Sequence, residues 1–288
     1  MNKYTIKHFQ ADFPDDNACL TYIFRRKYGS DPVCPKCGKT GFYRVAKRKC
    51  FACAWCSHQL HPTAGSIFHK SPTKLTLWFY ALYLASQSKN GVSAKELERH
   101  LGVTYKCAWR IAYKIRELMK QPTTQLEGTV EMDEMYVGGR KKGITGRGAV
   151  GKMPVVGVVQ RGGEARAEVT VDTAVYTIKP LMRKHVKFGS ELMTDTYSSY
   201  YNAKKWGYTH KQINHKKEQY VKGKIHTNTI EGFWSQVKRS IDGTYHAVSP
   251  KYLQFYLDEF VYRYNHRNSA QLFDSLLGRV CRLPYSKA

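Results

Sequence analysis

The sequence predicts an α/β protein: a metal-bound ribbon and a pair of helices, followed by a mixed sheet. Three observations predict it. Five of the eight cysteines fall between positions 34 and 56. Next, residues 91–119 show two short amphipathic helices around a glycine turn. Third, three β-rich runs from Thr129 to Val171 give way to alternating helix and strand. A length of 288 residues accommodates two or three such units, each with a core. We divide the chain into an N-terminal segment 1–70 with a zinc ribbon at 34–60, a helical region 71–122, and an α/β domain 123–288.

The composition narrows the partner. Lysine and arginine number 47 against 22 acidic residues, a formal charge of +25 that points to a polyanion. A content of 42% hydrophobic and 13% aromatic residues is that of a folded protein and not of a basic tail. The most apolar run, Leu75–Ala85, is far shorter than the roughly 18 residues of a membrane span and reads as a buried helix. The opening MNKYTIKHFQADFPDD has no apolar signal region. The expectation is a soluble, cytoplasmic, nucleoid-associated protein with double-stranded DNA as partner and no membrane.

In the ribbon, Cys34-Pro-Lys-Cys37 is a knuckle whose two thiolates reach one ion. The second pair is either Cys53 with Cys56 or Cys50 with Cys53, since both satisfy C-x-x-C. We favour Cys34, Cys37, Cys53 and Cys56, with Cys50 spare, as a closed tetrahedral site for structural Zn²⁺. His58 and His61 then stand outside a filled shell. Cys19, Cys107 and Cys281 read as buried small hydrophobes.

In the helical region, Ser93 with Glu96 forms a capping box, Leu97 and Leu101 give an apolar face, and Gly102 allows the turn. Thr104 caps a second helix with an inner stripe of Ala108, Ile111, Ala112, Ile115 and Leu118. Its other face carries Lys106, Arg110, Lys114 and Arg116, as a helix in a major groove would. The pattern predicts a DNA-reading helix-turn-helix; the plainer alternative is a helical hairpin with a solvated basic face. Pro122 ends the region.

Three strands follow, Thr129–Val137, Met153–Gln160 and Ala165–Val171, then a helix near Tyr176–His185, a strand Glu191–Thr194 and a helix start at Asp195–Tyr201. A meander followed by helix, strand and helix describes a mixed sheet of ribonuclease-H-like order. The segment Gly146–Lys152 imitates a phosphate-binding loop but has Met153 where Ser or Thr is needed, and it precedes a strand instead of opening a helix. With Arg140, Lys141 and Lys142 it reads as a basic connection that touches phosphates.

Acidic residues are few, so their places are informative. Asp133 lies within the first strand, flanked by Glu131 and Glu134; Asp195 follows the fourth strand; Glu231 begins the helical stretch HTNTIEGFWSQVKRSI. In a ribonuclease-H-like sheet the first and fourth strands are neighbours and a later helix crosses them. Those elements bring the three acids to a pair of Mg²⁺ ions that suit phosphoryl transfer. Each acid also has a bland role: Asp133 as a strand charge, Asp195 as a helix cap, Glu231 in a capping box with Asn228. Lys238, seven residues after Glu231, shares its helix face.

Together CPKCG, HQLHPTAGSIFHKSPTKLTLWFYAL, VEMDEMYVGG, LMTDTYSSY and HTNTIEGFWSQVKRSIDGTYHAVSPKYLQFYLDEFVYRYNHR resemble the zinc-ribbon DDE-type insertion-sequence transposases with an ISXO-like catalytic domain, relatives of the Merlin elements. The resemblance implies a ribonuclease-H-like catalytic domain, Mg²⁺ or Mn²⁺, and cutting and joining at terminal inverted repeats. Asp133 corresponds to the first acid and Asp195 to the second. The third position is glutamate or asparagine in the family; Glu231 and Asn228 both lie in the matching block, and Glu231 brings the charge. Lys238 corresponds to the basic residue that holds a terminal phosphate. The extra Cys50 departs from the pattern.

A last helix opens with Ser249 as cap and Pro250 at its first position, with Leu253, Leu257, Phe260, Val261 and Tyr264 facing inward and Asp258 and Glu259 structural. The function expected is a transposase acting as a homodimer or larger assembly on DNA. The alternatives are a DNA-binding regulator with an inactive α/β domain and a nuclease that cuts without joining.

Overall fold

The computed structural model describes residues 4–138, 151–214, 221, 223–269 and 271–280. These divide into two compact units. One runs to Leu118 and resumes at Ser269; the other is Met119–Asn268.

The first unit opens with α1 (Ile6–Asp12) and α2 (Asp16–Tyr28), the second capped by Asp15, which accepts the Ala18 amide at 2.8 Å. β1 (Phe42–Arg44), β2 (Phe51–Cys53) and β3 (Gln59–Leu60) form an antiparallel sheet too small for a core of its own. Phe24 of α2 stacks on Phe51 of β2 with ring centroids 4.0 Å apart. The apolar run becomes α3 (Leu75–Gln87), with Trp78, Phe79 and Leu82 fully buried as expected. α4 (Ala94–Leu101) starts at Ser93, whose hydroxyl accepts the Glu96 amide at 3.1 Å, and ends at Gly102 in the left-handed region. α5 (Tyr105–Met119) starts at Thr104, whose hydroxyl accepts the Cys107 amide at 3.4 Å. Its stripe Ala108, Ile111, Ala112, Ile115 and Leu118 is buried throughout.

In the second unit β4 (Thr129–Val137) and β5 (Met153–Gln160) pair antiparallel, and β6 (Ala165–Val169) completes the meander, two residues shorter than expected. α6 (Val175–His185) carries the chain back to β7 (Glu191–Asp195), which lies parallel to β4. β8 (Thr209–Ile213) extends the sheet parallel to β7 and gives the order β6-β5-β4-β7-β8. The sequence reading missed β8 because THKQI is a polar edge strand without the apolar alternation that marks β4. The helix expected at Asp195–Tyr201 is only a 3₁₀ turn, Ser198–Tyr200. α7 (Asn228–Ser240) and α8 (Leu253–Asn265) follow, the latter led in by a 3₁₀ turn at Pro250–Tyr252 with Ser249 as its cap.

Alternation along β4 serves two cores. Val130 and Met132 pack with Ile178 and Met182 of α6 on one face of the sheet. Met135 joins Phe233, Trp234 and Val237 of α7 and Leu257 of α8 on the other. Glu131 and Asp133 share Met135's parity and so lie on the α7 face. Glu259 of α8, 3% exposed, accepts from Arg263 at 2.6 Å and Tyr245 at 2.9 Å, which fixes it as structural.

The final helix, α9 (Leu272–Val280), belongs to the first unit, so the α/β unit ends at Asn268 and not at 288. The reason is aromatic: Phe273 packs on Phe13, Phe9 and Tyr83, with centroids 5.9–6.0 Å away.

Candidate active site and metal centres

The ribbon brings Cys34, Cys37, Cys53 and Cys56 together, every sulfur within 4.8 Å of the others. Cys34 and Cys56 are 3.6 Å apart, as are Cys37 and Cys53. A tetrahedron of sulfurs at about 2.3 Å from Zn²⁺ has edges of about 3.8 Å, so this spacing fits a structural zinc. Burial pushes the Cys53 thiol up, but the amides of Cys56 and Trp55 outweigh it and bring it down to about 6. The Lys39 amide lowers Cys37, yet burial and the three neighbouring thiols carry it up to about 12. A cation that accepts four thiolates removes that mutual repulsion. Cys50 is the spare one: it is buried and its thiol faces Gln59 Oε1 at 3.7 Å. Cys19 is buried, Cys107 is half-buried, and Cys281 lies outside the described residues.

In the second unit, parallel pairing sets Glu131 of β4 beside Met193 of β7, so two residues on Asp133 and Asp195 stand level on adjacent strands. Carboxylate oxygens of Asp133, Glu134 and Asp195 lie within 4.8 Å of one another. Hard oxygens crowded this way could hold a divalent cation. Burial, then the charges of Glu134, Asp195 and Glu231, raise Asp133 to about 7. Trp234 Nε1 donates to Asp133 Oδ2 at 3.2 Å. Its indole lies over Gly157, the cross-strand partner of Asp133: a Cβ there would stand 2.3 Å from Trp234 Cζ2. Asp195 accepts the Tyr197 amide at 2.8 Å, so it also organises the turn after β7.

Glu134 is the member sequence reasoning passed over. Strand alternation sends it to the face opposite Asp133, where Tyr200 donates to it at 2.9 Å. Its carboxylate still lies within 4.8 Å of those of Asp133 and Asp195. The sequence held no signal for Trp234.

Glu231 is not among the three clustered acids, although its charge acts on Asp133. The expected capping box does not form. The cap is Thr227, Asn228 is already the first helical residue, and Thr227 Oγ1 donates to Glu231 Oε1 at 2.7 Å. Asn228 is exposed, and its amide faces His226 Nδ1 at 3.4 Å. Glu231 and Lys238 line one open groove of about 570 Å³ with Ser235, Arg239, Asp242 and Gly243.

On α5, Lys106 and Arg110 are exposed. Lys114 is 13% exposed and bonded to Glu117 at 2.7 Å. Arg116 corrects the expected basic face: it is 4% exposed, because it follows Ile115 onto the buried side of the helix. Arg140, Lys141 and Lys142 lie outside the described residues. No helix among the described residues is long and apolar enough to cross a membrane.

Comparison with known proteins agrees with this anatomy. Residues 14–59 match a transposase zinc-ribbon domain and residues 125–265 an ISXO2-like transposase domain. An uncharacterized protein of the transposable element ISH50 from Halobacterium salinarum is 27% identical over 273 residues, covering 87% of this chain and 91% of that protein. An uncharacterized transposase-like protein of Haemophilus influenzae is 29% identical over 90 residues, 31% of this chain and 72% of that one. With ribbon and sheet both matched, the chain belongs to the zinc-ribbon insertion-sequence transposases that carry an ISXO2-like domain.

Proposed function

We propose that the protein binds the terminal inverted repeats of its element, cleaves the DNA and joins the 3′ end to target DNA. The observation that carries this reading is the level placement of Asp133 and Asp195 on parallel neighbours β4 and β7, under a helix that bears Glu231. That placement, with the order β6-β5-β4-β7-β8, supports a ribonuclease-H-like domain. Asp133, Asp195 and Glu231 would hold two Mg²⁺ or Mn²⁺ ions, with Glu134 beside them. Such ions, when bound, activate a water or 3′-hydroxyl and stabilise the leaving oxygen. Lys238 sits in the groove beside Glu231, where its ammonium holds a terminal phosphate of the strand. Asn228, exposed at the first position of α7, is the weaker claimant to the third place because it brings no charge.

The ribbon and the α4–α5 helix-turn-helix hold the repeat, with Lys106 and Arg110 of α5 toward phosphates and base edges. Joining requires two element ends in one complex, so the working form is a dimer or larger. The test incubates the purified protein with a labelled terminal-repeat duplex, a target plasmid and Mg²⁺. Joined product is expected, and Asp133→Asn should abolish it while leaving the mobility shift intact. Nicking without joining overturns the transfer step, and a metal-independent shift alone reduces the protein to a DNA-binding regulator.

A further inference from the structure

Glu131 is an acid with no exposed surface, two residues before Asp133 on the same face of β4, yet it is not one of the clustered carboxylates. It faces the start of α7 instead. Oε2 accepts the main-chain N–H of Ile230 at 2.9 Å, and Oε1 accepts the Thr229 hydroxyl at 2.9 Å. Arg161, just after β5, donates Nε to Oε1 at 2.6 Å, and His226 Nδ1 lies 3.2 Å from the same oxygen. The other arms of that guanidinium donate to the carbonyls of Lys224 at 2.7 Å and His226 at 2.8 Å. One carboxylate and one guanidinium therefore tie the strand that carries Asp133 to the segment entering α7.

The Thr227 side chain donates to Glu231 and accepts no amide at the helix start. The Ile230 amide at that end turns instead to a strand carboxylate, which the helix dipole also favours. The next residue after Ile230 is Glu231. We propose that Glu131 is a positioning residue: with Arg161 it fixes α7 on β4 so that Glu231 faces the metal site, and it is not itself a ligand. The inference rests on the reading of Glu231 as the third acid.

Glu131 thus stands to Glu231 as an outer-shell partner stands to a metal ligand, a relation whose loss costs about 10–100-fold in metal affinity. The full-length chain is titrated with Mn²⁺, free Mn²⁺ is read by electron paramagnetic resonance, and folding is checked by circular dichroism. Glu231→Gln should weaken one of two Mn²⁺ sites, and Glu131→Gln should weaken the same site by about 10–100-fold. The double variant should bind no more weakly than Glu231→Gln alone, because residues acting through one contact are not additive. Losses that add would show Glu131 acting apart from Glu231 and overturn the proposal. So would wild-type binding by Glu131→Gln alongside a weakened Glu231→Gln. Wild-type binding by Glu231→Gln would instead remove the functional reading beneath it. If Glu131→Gln does not fold, Thr229→Val deletes a single donor and should weaken the site about 5-fold; unchanged binding there overturns the clamp.

Discussion

Asp133 holds its proton more tightly than an ordinary aspartate because it is buried and then because Glu134, Asp195 and Glu231 surround it, so its carboxyl titrates at about 7. A divalent cation must displace that proton. Mn²⁺ affinity should therefore climb as pH rises through about 7 and level off only well above it, once the carboxylate is ionised. An affinity flat across that window would place the titrating group elsewhere. Folding stability runs the other way. The folded chain keeps a proton that the unfolded chain releases near 3.8, so between that value and about 7 the protein without added divalent metal loses stability as pH rises. Asp133→Asn carries no such charge and should melt at a higher temperature than the parent at pH 8, with the two converging toward pH 4. The residue is legible in the sequence as an acid on a strand. Its raised pKa is not, since that depends on burial and on the charges of Asp195 and Glu231, 62 and 98 positions away in a chain of 288.

Elements were legible where period and punctuation agreed. The bounds of β4 and β5 follow from alternation and a β-branched run, and α4 from Ser93 and Gly102. The signal failed where tertiary contact decided the outcome, as for β8 at the sheet edge, α9 drawn to Phe13, and Arg116 turned inward. The packing of α7 on β5 is of that kind, because it depends on a missing side chain. Gly157→Ala would place a Cβ 2.3 Å from the Trp234 ring, against rigid aromatic carbon. The helix must lift or the indole must turn, and overpacking of this kind costs about 1–3 kcal/mol. The variant should lower the thermal midpoint and reduce joining by more than the folded fraction explains, since it also breaks the contact to Asp133; activity tracking the folded fraction would refute that link. The ribbon offers a second check. Its three short strands are too few for a core of their own and its four thiols are spaced for one zinc ion, so a zinc-selective chelator should release one Zn²⁺ per chain and abolish repeat binding, while the far-ultraviolet signature of the α/β unit persists. Repeat binding that survives chelation would remove the ribbon from the DNA interface.

For the molecule as a whole, a charge of +25 draws any nucleic acid toward it, but net charge and contacts are different quantities. The salt dependence of binding counts phosphates neutralised at the interface, about 0.9 in log–log slope for each on duplex DNA. Basic residues that lie away from the interface contribute to approach and not to that slope. Structure sorts those on α5 in a way the sequence does not: Lys106 and Arg110 are open to solvent, whereas Lys114 is already bonded to Glu117 at 2.7 Å. Measured by fluorescence anisotropy on a terminal-repeat duplex across a KCl series, Lys106→Ala and Arg110→Ala should each flatten the slope by about 1. Lys114→Ala should leave it unchanged, because removing a cation that a carboxylate already satisfies releases no counterion from DNA. If Lys114→Ala flattens the slope as much as the other two, Glu117 must give up its partner on binding, and the helix engages DNA through a different face from the one its exposed cations mark. If none of the three changes it, α5 is not the reading helix, and the ribbon with the α/β unit carries the phosphate contacts instead.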